Sequence, residues 1–179
     1  MQNPDSITAQ SAFTEASLMQ GMSTHLFYQN RFLYIYPIIG VVALLVGFVT
    51  WWLIDNVVLL SILLFPALIL LMFVPYNRWL LRRNIRKLPN LNKKVAWQLD
   101  AAGINGQGEG FNFSQSWASM YETMQAPAGL LIYPQKNVFY WLPREAFATP
   151  ADFDAAAALA REHLPRFRRV GPAPQESAA

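Results

Sequence analysis

The chain has 179 residues, 14 Lys and Arg against 11 Asp and Glu, no Cys, and 54% hydrophobic against 14% charged side chains, where soluble domains carry about a quarter charged. That balance excludes a wholly disordered chain, and the missing thiols exclude disulfide frameworks, thiolate nucleophiles and Cys-based zinc or iron–sulfur sites. The length suits one average domain or a membrane segment with a small module, and the apolar excess selects the second.

Residues 1–32 read as a polar segment followed by an amphipathic helix. Thr14-Glu15 is a helix start, and Leu18, Met22 and Leu26 follow at i, i+4, i+8, which makes one apolar stripe. Such a stripe lies on a bilayer surface or packs on a neighbouring module. The scarcity of basic residues here favours packing.

From Leu33 to Val74 the one formally charged side chain is Asp55. A single helix over that stretch would be roughly 63 Å long, twice the hydrocarbon core of about 30 Å, so the chain must fold back. Asp55-Asn56 supplies the turn chemistry. The expected spans are 33–52 and 57–74. Trp51 and Trp52 mark one interface, with Tyr34, Tyr36, Tyr76 and Trp79 toward the other. Gly40, Ala43 and Gly47 place small residues along the first span, as close helix packing within the hairpin or between copies requires. Pro66 removes a hydrogen bond from the second span and frees the Ile62 carbonyl. A cleaved signal peptide is the competing reading of the first span, but no basic segment opens it and a second span follows at once.

Residues 75–94 read as a basic juxtamembrane linker. Arg78, Arg82, Arg83, Arg86, Lys87, Lys93 and Lys94 are half of the chain's basic residues, without one acid among them. By the positive-inside bias this end is cytoplasmic, and two spans put both termini there. The same seven residues are candidate contacts to the membrane surface or to anionic lipid headgroups. Nucleic acid is not expected as a partner, since no stacking pattern of an RNA-binding sheet accompanies them.

At Val95 the pattern changes to short alternation, with Val95, Trp97 and Leu99 on one face. Further strands are expected at Phe111–Phe113, Ser119–Met124, Leu130–Tyr133 and Val138–Leu142, punctuated by Gly, Pro and Asn as in an antiparallel meander. Thr149-Pro150-Ala151-Asp152 then gives an N-cap, a Pro at the first helical position and an acid at N3. The Ala-rich run to Leu164 is a good helix former with Phe153, Ala157, Ala160 and Leu164 on one side. Residues 95–165 are thus a sheet domain closed by a helix. Residues 166–179 have little to bury and read as a disordered tail.

Several of these residues resemble the YcxB-like family of bacterial membrane proteins: Gly103-Ile104, the segment Trp117-Ala118-Ser119-Met120, the strand Leu130-Leu131-Ile132-Tyr133, and Pro143-Arg144-Glu145-Ala146-Phe147 before the last helix. Ala118-Ser119 stands where a more polar, often acidic pair is expected. The resemblance implies a pleckstrin-homology-like C-terminal domain in a multi-pass protein of the bacterial inner membrane, and no catalytic residues. The fold class is therefore an α+β membrane protein, a two-helix transmembrane hairpin followed by a small antiparallel-sheet domain.

The chemistry of sites is sparse. Gly106, Gly108 and Gly110 spell GxGxG, but the third Gly is one residue early for a dinucleotide loop and Phe111 begins a strand, so a hairpin is expected. His25 and His163 stand apart, without Cys or an acid cluster, and make a poor metal site. No nucleophile elbow is present. No catalytic residue, cofactor or metal is expected, and the chain is not read as an enzyme. Trp117 and Arg144 are the candidate ligand-face residues, against a core position for Trp117 and a surface ion pair for Arg144. The function expected is a membrane-tethered cytoplasmic binding or adaptor module, with an unidentified protein or a second copy as possible partner. The alternative is a channel or transport accessory subunit built from oligomerised hairpins.

Overall fold

The computed structural model describes residues 6–29, 35–54, 57–89 and 91–171. The expected turn at Asp55-Asn56 and residues 172–179 of the expected tail lie outside them. The chain forms two compact units, Met1–Thr24 with Pro89–Ala179, and His25–Leu88.

The second unit contains α2 (Ile35–Ile54) and α3 (Val57–Ile85), both long and apolar enough to cross a membrane. The helices approach closely where the small residues lie. Gly40 and Gly47 are buried, and a Cβ at Gly40 would stand 3.1 Å from the Ala67 carbonyl oxygen. Tyr36 meets Phe73 edge-on at 5.5 Å. The small-residue side is therefore used within the hairpin. The second helix does not end at Val74 as expected. It runs through Pro66 and Pro75 to Ile85, because a helical Pro forfeits one hydrogen bond while Leu and Arg on either side propagate the helix well.

The first unit is discontinuous, and this corrects the expected boundary at Val95. Residues 7–12 are not a polar leader but a strand, β1 (Ile7–Ala12), antiparallel to β2 (Lys94–Leu99) with Ala9 opposite Trp97. Ala9 is in the core at 2% exposure. β3 (Gly103–Gly108) and β4 (Phe111–Ser116) complete a sheet ordered β1-β2-β3-β4. GxGxG is the β3–β4 hairpin, with Gly110 at φ 84° in the turn. Gly106 lacks the Cβ that would enter the Phe113 ring. That ring stacks on Tyr140 at 4.8 Å and meets Trp97 edge-on at 5.6 Å.

A second sheet, rather than a continuation of the first, follows a 3₁₀ turn at Trp117–Ser119. It holds β5 (Glu122–Ala126), β6 (Gly129–Gln135) and β7 (Val138–Pro143). The strand expected from Ser119 starts three residues later, since Trp117 turns the chain between sheets. One face of this sheet contributes Leu130, Ile132 and Leu142 to the core shared with Val95, Trp97, Leu99 and Ile104. On the other face Trp141 lies against α1 (Glu15–Gln29), where a Cβ on Gly21 would be 2.6 Å from its Cγ. Thr14 caps α1 by accepting from the Ser17 N–H at 3.1 Å.

The closing helix α4 (Pro150–His163) starts with the expected capping box, Thr149 and Asp152 bonding each other's backbone N–H. Phe153, Ala156, Ala157, Ala160 and Leu164 are buried beneath it. The chain then turns back, and Phe167–Arg169, expected to be tail, forms β8 parallel to β5, giving the order β7-β6-β5-β8.

Two outcomes are expected in solution. Residues 95–169 expressed alone should fail to give a cooperative thermal transition, whereas residues 6–14 joined to 92–171 by a short linker should give one, because only the second supplies β1. Phe153→Ala in that linked fragment should cost about 3–5 kcal/mol in urea denaturation, the range for deleting a fully buried Phe.

Candidate functional site

Two surfaces gather charged side chains, one in each unit. Arg78, Arg82 and Arg83 lie in the last turns of α3, and Arg86 and Lys87 follow in the turn just after Ile85. The Arg83 guanidinium sits 5.5 Å over the Trp79 ring, which in turn lies 6.0 Å from Tyr76. Trp79, Arg82, Arg83, Arg86 and Lys87 line a hollow of about 410 Å³. Cations at this end also complement the helix dipole. The seven expected basic contacts are not one linker: Lys93 and Lys94 belong to the sheet module, where Lys93 Nζ donates to the Glu109 carbonyl at 3.2 Å and Lys94 opens β2.

In the module, Trp117 is no ligand face. It is 4% exposed, its indole N–H donates to the Asp100 carbonyl at 2.7 Å, and its ring stacks on His163. The indole is consumed in fixing the turn between the sheets. Arg144 is exposed, but its guanidinium rests 5.1 Å over the Phe153 ring. The two are not brought together: His163 and Phe153 are ten residues apart on α4, roughly 15 Å along the helix.

A groove of about 540 Å³ runs where α4 meets β5 and β8. Asp154, Ala158 and Arg161 line it from α4 at i, i+4, i+7, one helix face. Gln125, Phe167 and Arg169 line it from the strands. Their common direction follows from register, since Thr123 pairs with Phe167 and Gln125 with Arg169 across the parallel β5–β8 ladder. Arg168 alternates to the other face, 3.8 Å from Glu122. The α4 half of this groove flanks the stripe of Phe153, Ala157, Ala160 and Leu164 that the sequence marks out, and Ala157 belongs to both. The strand half was not legible in the sequence, because it depends on a parallel pairing formed after the chain reverses at Pro165.

The α4-facing side of β5 carries two polar side chains without hydrogen-bond partners among the described residues. Gln125 is 9% exposed and opens on the groove. Thr123 Oγ1 is wholly buried and unpaired. On β7, burial raises the Tyr140 phenol above its ordinary value, and its hydroxyl donates to Gln115 Oε1 at 3.2 Å.

Neither a family model, nor a curated protein, nor a solved structure matches the chain. The residues that carry the YcxB-like resemblance serve packing in this fold: Gly103 and Ile104 are buried, Trp117 is tied to Asp100, Leu130–Tyr133 is buried throughout, and Ala146 and Phe147 enter the core.

Thr123→Val should raise the module's stability by about 1 kcal/mol, because it removes a buried hydroxyl left without a partner. Thermal denaturation of the linked fragment checks this. A lower transition temperature would show that the hydroxyl finds a partner in solution.

Proposed function

We propose that the chain is a membrane-tethered binding or adaptor module, with α2 and α3 as a transmembrane hairpin and the two-sheet unit as its working part on the cytoplasmic side. The observation that carries this reading is the exposure of the helices. Ile38, Leu45, Phe65 and Met72 are each more than 60% exposed, and Trp52 is 77% exposed. Only 11% and 6% of the most apolar stretches of the two helices are buried. Core helices of soluble proteins are covered by protein. Leaving an aliphatic or aromatic side chain in water forgoes about 1.5–3 kcal/mol, and a bilayer removes that penalty along both helices.

The basic end of α3 supports the orientation, with both termini cytoplasmic. α3 is about 43 Å long against a core of about 30 Å, so Tyr76 and Trp79 fall at the interface and the arginines beyond it at phosphate level. Anionic headgroups suit the hollow beside Trp79. The YcxB-like resemblance adds a pleckstrin-homology-like module and a bacterial inner membrane. A channel or transport role is the weaker reading, because between Ile35 and Pro75 the sequence has no Lys, Arg, His, Glu or Asp except Asp55, and ion or proton paths are built from such groups.

A reporter fused after Asn56 should behave as extracytoplasmic and one after Arg169 as cytoplasmic, with the protein resisting carbonate extraction. Release by carbonate, or the reverse reporter pattern, sinks the tether. Selective ion flux in proteoliposomes of the purified protein would favour the channel.

A further inference from the structure

We propose that the groove between α4 and β8 binds an extended peptide segment of a partner protein that bears acidic side chains, a step that rests on reading the sheet unit as a binding module. β8 is the last strand of its sheet. One of its main-chain rows is committed to β5, through the Thr123 N–H to the Arg166 carbonyl and the Val170 N–H to the Gln125 carbonyl. The other row has no strand beside it among the described residues. Such an edge accepts an added strand, whose alternate side chains then face the same way as those of the host.

Here that direction is the groove. Of the arginines in the C-terminal strand, Arg168 has Glu122 and Met124 as partners, whereas Arg169 has none among the described residues. Arg166 just before the strand is held by Tyr121. Arg161 across the groove is likewise unpaired among the described residues. Both free guanidiniums line the groove, and a guanidinium prefers a carboxylate, which it can hold through two parallel hydrogen bonds. Gln125, 9% exposed and without a side-chain partner among the described residues, also lines the groove, where its amide can both donate to and accept from an incoming chain.

Ala157 and Ala158 make a small-residue floor beside the Phe167 ring, leaving room for inserted side chains. Asp154 lies two turns of α4 from Arg161, roughly 10 Å away, the reach of about three residues of extended chain. A carboxylate at that position repels a dense anionic surface such as a bilayer but spares a peptide with isolated acids.

The test uses the full chain in neutral detergent micelles and fluorescein-labelled peptides of four Thr-Glu repeats, with Thr-Gln and Thr-Lys repeats as counterparts, read by anisotropy. The Thr-Glu peptide should bind about tenfold more tightly than the Thr-Gln peptide, a difference of about 1.4 kcal/mol. Arg161→Gln with Arg169→Gln should abolish that difference, Gln125→Leu should weaken binding, and Arg168→Gln should leave it unchanged. Arg161→Glu with Arg169→Glu should transfer preference to the Thr-Lys peptide, which keeps the test decisive if the neutral variant is poorly folded.

Equal affinity for the Glu and Gln peptides, or binding indifferent to both arginines, overturns the proposal. So does displacement of the peptide by phosphatidylglycerol doped into the micelles but not by phosphatidylcholine, which would assign the groove to lipid. Failure of every peptide arm in a chain that still passes the reporter and carbonate tests refutes the groove alone. Peptide capture by a chain that carbonate releases refutes the tether alone.

Discussion

The pairing of β1 with β2 is the contact on which the module depends, because it joins segments more than eighty residues apart across the whole helical insertion. Trp97 is its centre. The indole N–H donates to Ser11 Oγ at 2.8 Å, Phe13 meets the ring edge-on, and Phe113 and Tyr140 close the opposite side. Without β1 the Trp97 donor loses its acceptor and β2 becomes an open edge, and both changes are costly for a group inside a core. Leu99, Ile104 and Leu142 pack around the same cluster, so the first sheet and the β6–β7 hairpin share this one anchor.

The two apolar helices lie in sequence between strands that are neighbours in one sheet. They are an insertion in the chain of the sheet unit, since β1 precedes them and β2 follows them and the two strands pair with each other.

The polar chemistry divides along the same line. The helical unit carries a cluster of cations with an indole among them, which under the proposed tether would face a headgroup layer, where position and sign of charge matter more than shape. The sheet unit carries a groove in which two guanidiniums, a carboxylate and a glutamine amide stand without partners among the described residues. Small unsatisfied groups in fixed positions discriminate by geometry, because each one wrongly met keeps its desolvation penalty. Under the proposed function, recognition belongs to the sheet unit.

The sequence alone determined everything that rests on local physics. Two uncharged runs gave two helices long enough to cross a membrane, Thr149-Pro150-Ala151-Asp152 gave the capped start of α4, and Phe153, Ala157, Ala160 and Leu164 gave its buried side. The GxGxG hairpin and the capping role of Thr14 were equally legible, since turn and cap chemistry acts over three or four residues. Tertiary structure decided what depends on distant partners. Ile7–Ala12 has too little apolar contrast to declare itself a strand and is one only because β2 offers an unpaired edge. Phe167–Arg169 looked like tail and is a strand because α4 returns the chain to β5. Trp117 was a candidate for a ligand face although a core position was the favoured reading of an aromatic in a small domain, and its bond to Asp100 places it inside. The groove needed both the helical face of α4 and the register of β8, so no local pattern could hold it.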